Sequence, residues 1–526
     1  MPGRNGEFSI VQFSDTHITS GSSFNAIAFI RAAEQVNHLD IDYLIHSGDV
    51  TERGTREDYE LARQLLSTIK KKMIYIIGNH DARNVGYELF GKYIGSIEPV
   101  FMDDRVMIAG FDSTIPDRDE GRFGARHILK LKRILRKEGE DRTKIVVFHH
   151  HLLPIPKAGR ERSMIVDAGD VLKAVLDYNV DLVLNGHRHS PNIFRVEDTV
   201  VINSGTLSHY KTRAGDYHSY NIIKIAPKRV VDVTVRSVEV PTKRKLVKKL
   251  RKGEKLIRAD GERIARIAQI SDTHFTSSSE FLSKIFGFAV TRVNQLNPDL
   301  VIHCGDVTHD GLHESYELAA REMRKVAAPR LILPGPHDFM HLGDLLFQER
   351  IGELSPVYKA ETFSVYGVNS SQFDEMEGLI GRSHLNHLVS ELSKLPENHV
   401  KIVAFHHHIL PLPHTREKYL IEDSGDVLKR LLDIKVDMIL TGHRHIGHAL
   451  KIDETVVVNA NTLCSRRVQG RYGNTFNLID LLSNGTVIIS EIGVATGMRR
   501  ILGIYTIPTF TSSKKSEPKR RPKMRR

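Results

Sequence analysis

The sequence predicts an α/β protein built from two tandem layered domains. Three observations carry this: a long-range repeat, an alternation of short apolar runs with helical stretches, and a recurring set of Asp, His and Asn residues placed just after those runs. The repeat comes first. Ile10-Val11-Gln12-Phe13-Ser14-Asp15-Thr16-His17 returns as Ile267-Ala268-Gln269-Ile270-Ser271-Asp272-Thr273-His274. Asp49 and Asp306, His80 and His337, and His149 and His406 are each 257 apart, while His187 and His443 are 256 apart, so one residue is lost between Lys157 and Asp167. Matches held at one offset over such a length mean domain duplication, not a solenoid of short repeats. A chain of 526 residues also exceeds what one hydrophobic core usually organises. The expected boundaries are 1–240 for copy one, 241–260 for a basic linker, 261–508 for copy two and 509–526 for a basic tail.

Within copy one, apolar runs at Phe8–Phe13, Asp42–His46 and Met73–Ile77 read as strands, separated by helical stretches at Phe24–Asn37 and Arg56–Lys71. Later strands are expected at Val106–Phe111, Lys144–Phe148, Leu182–Leu184 and Thr199–Asn203. Asp170 is expected to cap a helix over Val171–Tyr178, and Asp426 to do the same in copy two. Such alternation gives a layered α/β domain, in which ligands gather beyond the strand C-termini.

Composition narrows the class. A hydrophobic fraction of 40% and a charged fraction of 26% are those of a globular protein. No apolar run approaches the roughly 18 residues of a membrane-spanning helix, and the N-terminus has no apolar h-region. Two cysteines, Cys304 and Cys464, argue against a disulfide framework and suit a reducing cytoplasm. They align with Ser47 and Ser208 and read as small packing residues. The net charge of +11 is unevenly placed: Lys243–Arg258 carries +8 and Ser512–Arg526 carries +7, which leaves −4 for the rest. Linker and tail are thus the expected places for any salt-sensitive nucleic-acid contact, with a solvated linker and tail as the plain alternative.

The chemistry sits at the strand ends. Asp15 and His17 follow the first strand and Asp49 the second. Asn79 and His80 follow the third, in Gly78-Asn79-His80-Asp81. His149 ends Val146-Val147-Phe148, and His187 and His189 lie in Gly186-His187-Arg188-His189. Each fragment alone is weak; all five in order, each after a strand, are specific. Carboxylate, imidazole and amide oxygen without thiolate suit divalent Mn, Fe, Co, Ni or Zn. Two such ions can clamp the attacking and leaving oxygens of an in-line displacement at phosphorus, with Asp49 bridging them and a hydroxide between them as nucleophile. His80 is then free to protonate the leaving oxygen. Three histidines stand together, His149, His150 and His151, and chemistry alone does not separate them. His149 is taken because it follows the strand directly.

These motifs, D-x-H, G-D, G-N-H-D, H and G-H-x-H, resemble those of the calcineurin-like metallophosphoesterase family. The triple His149-His150-His151 followed by Pro154 resembles its class III cyclic-nucleotide phosphodiesterase branch. The resemblance spans most of both copies. It implies a sandwich of two mixed β-sheets flanked by helices and two divalent ions in copy one. The first ion would take Asp15, His17, Asp49 and His189; the second would take Asp49, Asn79, His149 and His187. The implied activity is hydrolysis of a phosphodiester or phosphomonoester, with a nucleotide-like small molecule as the expected substrate. A nuclease using linker and tail is an alternative, which the acidic balance of the domains disfavours.

Copy two departs at one ligand. Asp272, His274, Asp306 and His445 keep the first ion's set, and His406 and His443 remain for the second, with His337 as the acid. Gly335-Pro336-His337-Asp338, however, puts proline where the amide should be, and proline has no side-chain oxygen. One or two ions are expected there, and copy two reads as impaired, specialised, or a non-catalytic regulatory or scaffold copy.

Overall fold

The computed structural model describes residues 7–137, 142–161, 163–213, 215–226, 230–240, 243–249, 259–416, 420–469, 472–507 and 509. Two compact units divide the chain. The first is Met1–Glu254 with Ile409–Leu428, and the second is Lys255–His408 with Lys429–Arg526. Residues 409–428, placed in copy two by the repeat, thus belong to the first unit.

Copy one begins β1 (Phe8–Phe13), α1 (Ala26–Asn37), β2 (Tyr43–His46), α2 (Arg56–Leu66), β3 (Met73–Tyr75) and α3 (Gly86–Tyr93). It continues β4 (Val100–Met102), β5 (Val106–Gly110), α4 (Gly124–Lys137), β6 (Thr143–Val147), α5 (Ala168–Asp177), β7 (Leu182–Asn185), β8 (Asn192–Val196) and β9 (Thr199–Asn203). It closes with β10 (Ser219–Ala226), β11 (Val230–Ser237) and β12 (Lys243–Lys249). One sheet runs β12-β11-β10-β1-β2-β3, with β1, β2 and β3 parallel and the rest antiparallel. In a second sheet β5, β6, β7 and β9 are parallel neighbours, and β4 and β8 pair antiparallel to β5 and β9. Ile10, Ile45 and Ile223 of the first sheet pack against Ile108, Ile145, Leu182 and Ile202 of the second, all at most 1% exposed. That dry layer is the sandwich core. The other face of the first sheet, through Val11 and Phe13, is covered by Phe29 and Ala32 of α1 and Tyr59 and Ala62 of α2.

Copy two repeats the plan. It runs β13 (Arg263–Ile270), α6 (Ser283–Leu296), β14 (Leu300–His303), α7 (His313–Met323), β15 (Arg330–Ile332), a 3-10 turn (Pro336–Leu342), α8 (Gly343–Arg350), β16 (Val357–Lys359), β17 (Phe363–Gly367), α9 (Arg382–Ser393) and β18 (Val400–Ala404). Then come α10 (Ser424–Asp433), β19 (Met438–Thr441), β20 (His448–Ile452), β21 (Thr455–Asn459), β22 (Thr475–Leu482), β23 (Thr486–Gly493) and β24 (Arg499–Thr506). The order β15-β14-β13-β22-β23-β24 mirrors the first sheet of copy one.

Three local expectations change. Lys243–Lys249, read as part of a basic linker, is a strand pairing with β11 in register from Val230↔Lys249 to Arg236↔Lys243. Backbone hydrogen bonds to a waiting sheet edge give the segment a conformation that its charge pattern does not specify. The rest of the expected linker, 241–242 and 250–258, and the tail from 510 lie outside the described residues. Asp170 and Asp426 lie inside the first turns of α5 and α10, not at their caps. The residue at the α5 cap position, Asp167, instead accepts from the Phe123 and Gly124 amides at 2.9 and 2.6 Å. Among the described residues no helix is long and apolar enough to cross a membrane.

Candidate metal centre

Parallel strands β1, β2 and β3 end together, so the loops that follow them meet. Backbone bonds fasten the first two loops: Asp15 and His17 donate to the Gly48 and Asp49 carbonyls at 2.9 and 3.0 Å. Asp81 fastens the third. Its buried carboxylate accepts from the amides of Val50, Thr51 and Gly78 and from the Thr51 hydroxyl, at 2.7 to 3.0 Å. Burial, with Asp49 nearby, raises the Asp81 pKa to about 6. Close approach also dictates glycine: a Cβ on Gly78 would stand 2.1 Å from Asp49 Oδ1, and one on Gly186 1.9 Å from Ser14 Oγ.

Asp15, His17, Asp49, His187 and His189 all have φ between 48° and 73°, and Asp272, His274, Asp306, His443 and His445 repeat this at 50° to 74°. Left-handed backbone is uncommon for residues with side chains, and its concentration at these positions marks strain held for a function.

The side chains converge. His17 Nε2 and His189 Nε2 face each other at 3.1 Å, with Asp15 Oδ1 at 3.7 and 3.3 Å from them and Asp49 Oδ2 at 3.6 Å from His17. His189 Nδ1 donates to the Lys211 carbonyl at 2.8 Å, and His17 Nδ1 lies 2.7 Å from Glu52 Oε2. The Nδ1 atoms of both rings face oxygens on one side, and both Nε2 atoms face one point beside two carboxylates. A cation suits that donor set; a proton could serve only one of the facing nitrogens. A second group lies alongside. His149 Nε2 is 3.0 Å from Asp49 Oδ2 while its Nδ1 donates to the Ser47 carbonyl at 2.9 Å, and His187 Nδ1 meets Asn79 Oδ1 at 3.0 Å. Asp15–His17–His189 and Asp49–His149–His187 each bring their donor atoms within 4.8 Å of one another.

The electrostatics follow the contacts. Burial alone would push the His17 pKa down, but hydrogen bonds to Asp15 and Glu52 raise it to about 10. Burial likewise opposes charge on His149, and Asp49 overrides it, to about 9. Burial pushes the Asp49 carboxyl up, yet His149 and His80 hold it below the usual carboxylate range.

His80 stands at the rim. Its amide donates to Asp49 Oδ1 at 2.8 Å and its Nδ1 to the Glu52 carbonyl at 2.8 Å, which leaves Nε2 free of both. Its side chain is 19% exposed, against 1% or less for His17 and His149. Burial, with His17 and Arg83 nearby, lowers its pKa despite Asp49.

The structure separates the three consecutive histidines, which the sequence could not. Only His149 faces Asp49. His150 spends one ring nitrogen on Ser113 Oγ at 2.9 Å and the other on the Asp119 carbonyl at 3.1 Å, and His151 Nε2 donates to the buried Glu161 at 2.7 Å. Arg188 clamps the loop beside the site, donating to the Ala158 and Arg160 carbonyls at 2.7 and 3.1 Å. Asp112 is a turn residue, accepting from the Thr114 amide and hydroxyl at 2.7 and 2.8 Å.

Two groups at the site carry no sequence motif and were not anticipated. Glu52 holds His17 from behind, and His209 packs against the rings of His17 and His189 at 4.5 and 5.0 Å. A comparison of the copies would have singled them out: at these positions copy two has His309 and Ser465, and the small bridges Phe24↔His209 and Phe281↔Ser465 fix the equivalence. In copy two, Asp272 Oδ1 lies 3.1 Å from His445 Nε2, and Asp306 Oδ2 lies 3.3 Å from His406 and 3.8 Å from His274. His337 repeats His80, with its amide on Asp306 Oδ1 at 3.1 Å and Nδ1 on the His309 carbonyl at 2.7 Å. Where copy one has His187 on Asn79, copy two has His443 Nδ1 against His406 Nε2 at 3.1 Å. His309 Nδ1 is 3.4 Å from His274 Nδ1, the place of the Glu52 carboxylate.

A sandwich carrying such a strand-end cluster is that of a phosphoester hydrolase whose family uses divalent metals. A family model for calcineurin-like phosphoesterases matches residues 8–191 and again 265–447, and the chain belongs to that family. Among curated proteins it is 25% identical over 235 residues to a probable cyclic nucleotide phosphodiesterase of Vesicomyosocius okutanii, covering 43% of this chain and 97% of that one. It is 26% identical over 247 residues to the 3',5'-cyclic adenosine monophosphate phosphodiesterase CpdA of Escherichia coli K12, covering 43% and 89%. A probable glycerophosphodiester phosphodiesterase GpdQ of Arcobacter nitrofigilis is 28% identical over 212 residues, covering 37% and 77%.

Proposed function

We propose that the chain hydrolyses a phosphodiester of a nucleotide-like small molecule, mainly in copy one, with two divalent ions in that copy and one or two in copy two. The observation that carries the reading is the pair of buried donor groups sharing Asp49, with the partly exposed His80 at their rim. Asp15, His17, Asp49 and His189 would hold one ion, and Asp49, Asn79, His149 and His187 the other. Asp272, His274, Asp306 and His445 would hold the corresponding first ion of copy two, with Asp306, His406 and His443 left for a second. Ions bound there supply Lewis acidity at phosphorus and an acidified water near neutral pH. In its protonated form His80 gives the Nε2 proton to the leaving oxygen, since its Nδ1 is turned to the Glu52 carbonyl at 2.8 Å and Nε2 is the nitrogen that faces substrate. His337 would do the same in copy two. The relatives' names favour cyclic-nucleotide or glycerophosphodiester chemistry over a phosphomonoester. Two buried, unbridged cysteines suit a cytoplasmic setting.

The test is a panel of 3',5'-cyclic AMP, a glycerophosphodiester, bis(p-nitrophenyl) phosphate and p-nitrophenyl phosphate, run on the full chain loaded in turn with Mn, Co and Zn. Asp49→Asn should lose metal and turnover together, by several orders of magnitude. His80→Ala should keep its metal yet lose turnover, most on poor leaving groups. Near-normal turnover by His80→Ala on cyclic AMP would remove the acid assignment; failure of every diester on metal-loaded protein would remove the function.

A further inference from the structure

Helix α4 reads Gly-Ala-Arg-His-Ile-Leu-Lys-Leu-Lys-Arg-Ile-Leu-Arg-Lys: six lysines and arginines and no acid, with acids only beyond its end at Glu138, Glu140 and Asp141. Leu131 and Leu135 anchor it in the core. Arg126, Lys130 and Arg133, at i, i+4 and i+7, share one face. That face lines a cleft of about 1180 Å³ whose opposite wall is Tyr87 and Gly91 of α3 and the loop Gly95–Glu98. Glu98, the acid of the cleft, is already engaged by His127 at 3.2 Å and by Lys130. Among the described residues no carboxylate pairs with Arg126 or Arg133, both exposed, and Tyr87 on the opposite wall is 38% exposed. Tyr87 is fixed there by its hydroxyl, which donates to Asp112 at 3.0 Å.

Copy two is the internal control. Phe347, Leu388 and Leu392 occupy the positions of Phe90, Leu131 and Leu135 and are buried like them, and Gly381 repeats the positive φ of Gly124, at 78° and 72°. The structural positions are therefore retained. The cleft positions are not: Ser383, His387 and Ser390 stand for Arg126, Lys130 and Arg133, and Asp344 stands for Tyr87. The fold needs neither the cations nor the ring, and copy one has both.

We propose that this cleft of copy one binds single-stranded nucleic acid. Arg126 to Arg133 spans about 10 Å of helix, so the two guanidinium groups can reach different phosphates of one strand. An aromatic face beside the cations gives a base something to stack on, whereas an acidic peptide has no use for it. None of the residues lining the cleft belongs to the proposed ligand set, so binding here is a property distinct from hydrolysis, and it is carried by the folded domain instead of the basic tail.

The experiment measures fluorescence anisotropy of a labelled 12-nucleotide single strand on the full chain, with metal chelated so that no turnover occurs. Arg126→Ser/Lys130→His/Arg133→Ser, the residues of copy two, should weaken binding at least tenfold at low salt. The same variant should make the salt dependence shallower by about 1.4, because Arg126 and Arg133 are the two cations not engaged by Glu98 and each phosphate that a cation neutralises on a single strand adds about 0.7 to the slope. Arg126→Ser and Arg133→Ser alone, both at exposed positions, should each give part of the loss. Tyr87→Ala should weaken binding about fivefold or more with the salt slope unchanged. Hydrolysis of bis(p-nitrophenyl) phosphate by metal-loaded protein should stay the same in every variant. Binding by the triple variant within twofold of wild type would overturn the proposal, as would full loss on truncation after Ser512. A polyglutamate peptide that competes as well as an unlabelled strand would also overturn it, in favour of an acidic protein partner.

Discussion

Glu52→Gln, made in a chain whose copy two carries Asp306→Asn, tests how the first ion proposed for copy one would be held. In the wild type Glu52 Oε2 is 2.7 Å from His17 Nδ1, with the Glu52 side chain 20% exposed. The imidazole that faces Asp15, Asp49 and His189 is thus both oriented and made more basic by a charged acceptor. A hydrogen bond to a charged group contributes about 1.5–3 kcal/mol, and a neutral amide oxygen retains about half of that. The net loss of about 0.8–1.5 kcal/mol is a roughly four- to twelvefold weaker first ion, near the lower end of the ~10–100-fold that such supporting groups usually carry. Competition between the protein and a fluorescent chelator for Zn or Co reads this directly, without turnover. Glu52→Asp, which keeps the charge on a shorter arm, should recover part of the affinity, and Glu52→Ala should lose more than Glu52→Gln. Equal affinity across Glu, Gln and Ala would refute the reasoning and reduce Glu52 to a packing residue. Copy two predicts the same from the other side: His309 supplies no carboxylate to His274, and His309→Glu should tighten its first ion.

Pro336→Asn should raise second-ion occupancy of copy two in a chain carrying Asp49→Asn, because the amide would take the place that His443 now fills against His406; unchanged metal content would show that the proline turn holds the backbone out of reach. Loading copy one should release about two protons at pH 7.5, since His17 and His149 have pKa values raised to about 10 and 9 and must give up those protons to bind metal. Because both values lie above the unfolded 6.5, their contribution to metal-free stability is full below that pH and lost as pH rises through 9 and 10, while metal affinity climbs over the same range. Calorimetry in two buffers of different ionisation heat counts the protons, and a count near zero would remove the claim.

The sequence by itself carried the duplication, the layered α/β class and the strand-end residues Asp15, His17, Asp49, Asn79, His80, His149, His187 and His189. Each lies within a short motif directly after an apolar run, and parallel strands deliver such ends to one place. The missing amide at Pro336 was legible for the same reason, since a side-chain oxygen is present or absent in the letter itself. What lay between motifs was not legible. Only the fold showed that His150 and His151 are occupied by Ser113, Asp119 and Glu161, leaving His149 to face Asp49. Only the fold brought Glu52 behind His17 and set His209 against both rings, because these contacts join loops that no local pattern relates. The same holds for Lys243–Lys249, whose partner strand β11 decides its conformation, and for the α4 cations, which become a surface only when α3 and the loop before β4 build the opposite wall. Local chemistry is written residue by residue; orientation, hydrogen-bond occupancy and the sharing of a cleft arise from packing between distant segments, and the chain states them only when folded.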